Sequence, residues 1–199
     1  MILSKKDLKE YLEADRIALG RNTPPHFFDL TYQFEIALRY VEYYQNCKKG
    51  RMNKLIGKFY KIRYNILGIL CGYSIPPNVF GKGLSIAHRG TIVVNSGAKV
   101  GENCRIHVCV NIGTALGCSE VAPSIGDNVY IAPGVKIYGR IHIANGIVIG
   151  ANSVVTKSFV EKDICIAGVP AKKISDCGRD KIAQRNRDLY ECNKNSYKK

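Results

Sequence analysis

The chain has 199 residues, 46% of them hydrophobic, with 30 Lys and Arg against 16 Asp and Glu for a formal charge of +14. That is enough apolar material for a packed core, yet no apolar run approaches the roughly twenty residues of a membrane-spanning helix. The segment after Met1 is polar rather than a signal sequence, so the expected compartment is the cytoplasm, and the eight cysteines, which lack CxxC spacing, read as reduced structural thiols.

The excess cations lie in two flanking regions without a basic and aromatic stripe. This excludes a recognisable nucleic-acid module and leaves a basic surface that concentrates an anionic small ligand.

The first third is predicted to be helical. Ser4 with Asp7 three residues on reads as a capping box opening a helix to about Ala18, with Leu8, Tyr11, Leu12 and Asp15 on helical spacing. The Asn-Thr-Pro-Pro run at 22–25 breaks it. A second helix is expected from near Phe27 to Cys47, with Phe34, Leu38 and Val41, or Ile36, Tyr40 and Tyr43, along one face. A third runs from about Met52 to Cys71 on an apolar stripe of Leu55, Phe59, Ile62, Ile66 and Leu70, stopped by Pro76 and Pro77. Tyrosines at helical spacing are read as packing residues.

From Val94 an aliphatic residue returns every sixth position: Val94, Val100, Ile106 and Ile112, then after a one-residue phase slip Ile125, Ile131, Ile137, Ile143, Ile149 and Val155. Phe80, Ile86 and Ile92 extend the period upstream, with a slip of two before Val94. A six-residue period belongs to a parallel β-helix, in which each step makes one short face and the aliphatic residue points into the shaft. Three residues after each aliphatic come Gly97, Asn103, Cys109, Asn128, Gly134, Arg140, Gly146 and Asn152, mostly types that turn a corner at positive φ. About eighteen residues per coil gives roughly four to five coils.

This pattern resembles the hexapeptide-repeat acyltransferases, and three helices ahead of it resemble their serine acetyltransferase branch. The resemblance implies a mainly β fold: a left-handed parallel β-helix over 75–175, an N-terminal helical domain over 1–74 and a C-terminal helix and basic tail over 176–199. It also implies a homotrimer with active sites between subunits, with pairing of trimers left open.

The segment IPPNVFGKGLSIAHRGTIVV, residues 75–94, is similar to the stretch holding that family's catalytic histidine, which falls on His88. The resemblance implies that His88 is the general base on an acceptor hydroxyl attacking acetyl-CoA, an imidazole being suited to take a proton near neutral pH. Gly113, in NIGT at 111–114, matches the glycine beside the reacting thioester, with Thr114 next to it. AGVPAKKI at 167–174 matches the terminal signature whose cation meets coenzyme A phosphates, here Lys172 and Lys173; Ala132 and Asn152 lie on corresponding coil edges. No metal is expected.

The departures bear on the acceptor. The family's aspartate fifteen residues before the histidine is Tyr73 here, its second active-site histidine is Ala122, and the aspartate preceding the catalytic histidine is Ala87. A charged amino acid binds best beside a carboxylate, so the expected acceptor is a sugar hydroxyl in surface-polysaccharide biosynthesis, with L-serine as the alternative. Tyr73 and His107, one coil beyond His88, are candidate acceptor-side residues; His107 could equally cap a coil edge. Readings of another class are a zinc-dependent β-helix enzyme, whose histidine spacing is not met by His88, His107 and His142, and an inactive scaffold.

Overall fold

The computed structural model describes residues 1–22, 24–47, 50–117 and 121–184. Three helices, α1 (Lys5–Ala18), α2 (Leu30–Cys47) and α3 (Arg51–Cys71), lead into a column of short parallel strands. Ser4 caps α1, its Oγ accepting from the Asp7 amide at 3.0 Å, while the Asp7 carboxylate accepts from the Leu3 amide at 2.9 Å. Helix α2 starts three residues later than its spacing predicts, because Asp29 accepts the Tyr32 amide and leaves Phe27 and Phe28 outside. Its inner face is the first of the two expected: Phe34, Leu38 and Val41 are buried.

Helix α3 departs from expectation in how it stops. It ends at Gly72, whose φ of 78° closes a left-handed C-cap onto the carbonyls of Gly68 and Ile69, so a glycine stops the helix before the prolines are reached. Its apolar stripe of Leu55, Phe59, Ile62, Ile66 and Leu70 faces outward. The helix is held instead by its other side, where Leu67, Gly68 and Cys71 are buried and Tyr60 stacks on Tyr40 with ring centroids 4.3 Å apart.

The strands form three faces of a prism. One carries Tyr73–Ser74, Ile92–Val94, Val110–Gly113, Lys136–Tyr138 and Val154–Val155; the next Lys99–Val100, Ser124–Ile125 and His142–Ile143; the third Ser85–Ile86, Arg105–Ile106, Tyr130–Ile131, Val148–Ile149 and Cys165–Gly168, closed by antiparallel Ala171–Ser175. Strands of two to five residues stand beside helices of 14, 18 and 21, so "mainly β" describes the prism and only approximates the chain. The paired columns Ile86, Ile106, Ile131, Ile149, Ile166 and Val94, Ile112, Ile137, Val155 are buried, as the period requires. A fully buried aliphatic side chain contributes about 1.5–3 kcal/mol, so the stack is its own main source of stability.

Successive partners from Ile86 to Ile166 are separated by 20, 25, 18 and 17 residues. The regular coil is therefore eighteen residues, and two coils are longer. The first carries two extra residues between Ile86 and Ile92, around His88. The second carries seven between Gly113 and Ser124, which a six-residue period shows only as a slip of one. Asn103, Asn128, Gly134, Gly146 and Asn152 turn their corners at positive φ as their residue types favour, and Cys109 does so against its type, whereas Gly97 is not at positive φ and at Arg140 the turn is made by Gly139 instead.

The upper end of the prism has no preceding coil to pair its backbone, and buried charges of the helices do so. Arg39 donates to the carbonyls of Phe80 (3.0 Å) and Gly81 (2.7 Å). Asp15 accepts the amides of Gly83 and Leu84, Glu42 that of Asn78, and Glu35 that of Ile86. Arg39 is in turn paired with Asp15 at 2.7 Å and Glu42 at 3.0 Å, all three fully buried. Burial, then the neighbouring Asp15, push the Glu35 carboxyl well above the usual carboxylate range.

Helices α2 and α3 share one hydrophobic core with the prism, while Leu8 of α1 packs with Ile2 and Tyr43 in a smaller one. Tyr73–Ser74 already pairs with Ile92–Val93, so the β region begins just before the expected boundary at 75. At the other end the chain turns helical at 179–184, with the Arg179 amide on the carbonyl of Gly146, and the rest of the expected tail lies outside the described residues.

Candidate active site

His88 sits in the enlarged turn of the first long coil and is exposed. The turn is fixed from behind: the Gly90 amide donates to Cys71 at 2.9 Å and the Ile92 amide to Gly72 at 3.0 Å, tying it to the end of α3. Tyr73 Oη donates to the carbonyl oxygen of His88 at 3.0 Å. Having one proton to give, Tyr73 then accepts from Thr31 Oγ1 at 3.1 Å. Burial pushes the Tyr73 phenol up to about 12, which keeps that proton in place. Tyr73 was expected on the acceptor side. Its ring is instead buried against Phe34, and it meets His88 through the backbone.

His107 lies one coil on, its ring centroid 6.0 Å from that of His88 and 5.1 Å from that of Tyr130. It is half-buried, and its Nε2 is enclosed without a hydrogen-bond partner among the described residues. Burial, then Arg105, then His88 lower its pKa, so it resists protonation. Register places Ala87 above it and Ala132 below, two small residues that leave room for an imidazole. Arg105 donates to Ser85 Oγ at 2.9 Å on the same face. Arg105 and Tyr130 went unnoticed in the sequence, although each stands one position before an inward isoleucine and alternation turns it outward.

Gly113 ends its strand opposite Tyr138, and a Cβ there would meet the Tyr138 ring at 2.9 Å. The position admits only glycine without movement. Thr114, half-buried, starts the long loop, whose residues 118–120 lie outside the described set. The far end of the loop, Val121 to Ser124, lines an open cleft of about 560 Å³ with Lys99, Arg140 and His142. Ala122 is therefore at a different corner of the prism from His88 and His107.

The expected coenzyme residues lie further down the stack. Ala132 is buried beside Ile131. Asn152, at φ 57°, lays its side chain where a Cβ of Gly134 would stand, which is a corner-building role. Lys173 pairs with Glu161 and Asp176, both at 2.5 Å. Lys172 is exposed and forms no ion pair among the described residues.

Residues 122–157 match the family described as bacterial transferase hexapeptide (six repeats). The serine acetyltransferase of Staphylococcus epidermidis is 38% identical over 110 residues, 54% of this chain and 51% of that protein. The chain thus spans about half the length of the curated relatives it matches. Among solved structures, a serine acetyltransferase in complex with coenzyme A from Brucella abortus strain S19 superposes with a TM-score of 0.68 at 26% identity, covering 87% of this chain and 70% of that one. That of Neisseria gonorrhoeae, in complex with serine, gives 0.62 at 26%, covering 86% and 71%. The two structural likenesses cover enough of the chain to take in both helices and prism, and the prism fits the left-handed one that the resemblance implied.

Proposed function

We propose that this chain, a hexapeptide-repeat protein related to the serine acetyltransferases, is an acetyl-CoA-dependent O-acetyltransferase with His88 as its general base. The observation that carries the reading is an exposed imidazole in a turn braced by Tyr73, Cys71 and Gly72, at the one corner where a coil is lengthened by two residues. His88 takes the proton of the acceptor hydroxyl as its oxygen bonds to the thioester carbonyl carbon. The carbon–sulfur bond then breaks, and His88 returns the proton to the departing thiolate. Gly113 gives the close approach that the thioester needs, with backbone stabilising the developing oxyanion.

A path for the coenzyme is supported by the column that follows His107. Ala132, Gly150 and Ala167 succeed it on consecutive coils, and Ala167 pairs with Lys172. Three strand spacings of about 4.8 Å make a smooth wall of roughly 14 Å from His107 to Ala167, and one more spacing reaches Lys172. A pantetheine arm fits the wall, and a phosphate fits Lys172 better than the already neutralised Lys173. Asn152 flanks this path two residues after Gly150 on the same coil, and Thr114, at the head of the long loop, would reach it from a second chain.

His88 and the loop ending at Ala122 occupy different corners of one prism, so a site using both needs two chains. A homotrimer packed on the flat faces supplies that arrangement.

The relatives support L-serine as acceptor, by their names and by the serine complex of one of them. A sugar hydroxyl is the second reading. It rests on Tyr73, Ala87 and Ala122 where that family has ionisable groups, and on the Arg105 guanidinium near His107, a setting unfavourable to an ammonium group. Acetyl-CoA thioester consumption with L-serine and with a panel of nucleotide sugars and oligosaccharides decides the acceptor. Turnover of serine alone establishes the first reading and turnover of sugars alone the second. No thioester consumption with any of them would overturn acetyl transfer.

A further inference from the structure

The outward face of α3 is apolar along its whole length. Met52, Leu55, Ile56, Phe59, Ile62, Ile66, Ile69 and Leu70 recur at three- and four-residue steps, and their exposure runs from 36% at Ile56 to 82% at Ile69. The helix does not need this face to stay folded, because Leu67, Gly68, Cys71 and the Tyr60 stack hold its other side. A second apolar group lies beside it. Gln33 donates to the carbonyls of His26 and Phe27 at 3.0 and 2.9 Å and accepts from Arg63 at 3.1 Å, fastening the 26–28 segment to α3. There Phe27 and Phe28 are 81% and 84% exposed, their rings edge to face at 5.2 Å.

Charge identifies the occupant. Arg51, Lys54, Lys58 and Lys61 run at the same helical steps along one flank of the apolar face, and α3 contains no Asp or Glu. None of the four forms an ion pair among the described residues. Two copies meeting through this face about a two-fold axis would set two uncompensated basic rows together. A layer of anionic lipid headgroups over hydrocarbon complements both halves, taking the cations at its surface and the apolar side chains just below it. At 21 residues α3 is about 30 Å long. No helix among the described residues is long and apolar enough to cross a membrane, so α3 would lie in the interface.

We propose that α3 and the Phe27–Phe28 pair form a peripheral membrane-binding face specific for anionic lipid. Wild-type full-length chain should co-sediment with vesicles of phosphatidylcholine and phosphatidylglycerol and not with phosphatidylcholine alone. Binding should weaken at least tenfold in about 0.5 M salt, where the Debye length falls to roughly 4 Å. The chain has no tryptophan, so Phe59→Trp gives a single fluorophore whose emission should shift to the blue on anionic vesicles. The double variant Ile62→Glu, Ile66→Glu should lose vesicle binding with an unchanged sedimentation coefficient. Equal binding to neutral vesicles, or none to anionic ones, overturns the proposal without recourse to any variant. A fall in oligomer mass in the double variant, without vesicle binding by wild type, assigns the face to a second copy.

Discussion

Tyr73 Oη and the carbonyl oxygen of His88 are joined at 3.0 Å across fifteen residues of chain. This bond fixes the backbone from which the imidazole projects, while the ring itself stays exposed. Tyr73→Phe removes the donor and leaves the packing against Phe34. A net hydrogen bond of about 1 kcal/mol corresponds to roughly a fivefold effect, so kcat should fall about three- to tenfold with KM for acetyl-CoA little changed. Steady-state kinetics would check this, and an unchanged kcat would separate Tyr73 from the orientation of His88.

His107 makes the site sensitive to acid. Its folded pKa lies below the ordinary 6.5, through burial first and then Arg105 and His88. Between those two values the unfolded chain binds a proton that the folded chain refuses, so stability is intact above pH 6.5 and falls as pH drops through the folded value. His107→Gln has no such proton, and its Tm should drop less than that of wild type between pH 7.5 and 5. Parallel Tm curves would contradict the burial of that imidazole.

Arg39 holds the helices on the open end of the prism. Arg39→Met strands the buried carboxylates of Asp15 and Glu42 and frees the carbonyls of Phe80 and Gly81. Loss of one partner of a buried pair costs about 3–5 kcal/mol. Urea unfolding should show a loss of that size; one under about 1 kcal/mol would mean the cap is not essential.

The two lysines of the terminal hairpin are inequivalent. Lys172→Ala should raise KM for acetyl-CoA roughly three- to tenfold, equivalent to about 0.7–1.4 kcal/mol, and the effect should shrink with salt. Lys173→Ala should raise it less, since Glu161 and Asp176 already neutralise that cation. A larger effect at Lys173 would place the phosphates elsewhere.

The prism was legible because every inward position demands the same kind of residue, and Ile106, Ile131 and Ile149 obey. Insertions were legible only in phase. Seven extra residues look like one when six of them complete a repeat, which concealed the size of the loop after Gly113. The polar cap was not legible, because Asp15, Glu35, Arg39 and Glu42 on helical spacing look like a solvated face until a coil end lacking partners is set against them. The stripe on α3 was legible as a stripe and its outward facing was not, since periodicity shows that a face is apolar without showing what covers it. The motif singled out His88, and only the fold revealed that Tyr73 holds its backbone.

Acetyl-CoA thioester consumption by wild type and by His88→Ala, in the presence of whichever acceptor the wild type uses, tests the central claim most directly. His88 is exposed and contributes nothing to the core, so the variant should keep the oligomeric mass and Tm of wild type. Its kcat should fall at least a hundredfold, about the low end for loss of a general base. A variant that folds as wild type does and retains more than about a tenth of its kcat would contradict His88 as the base.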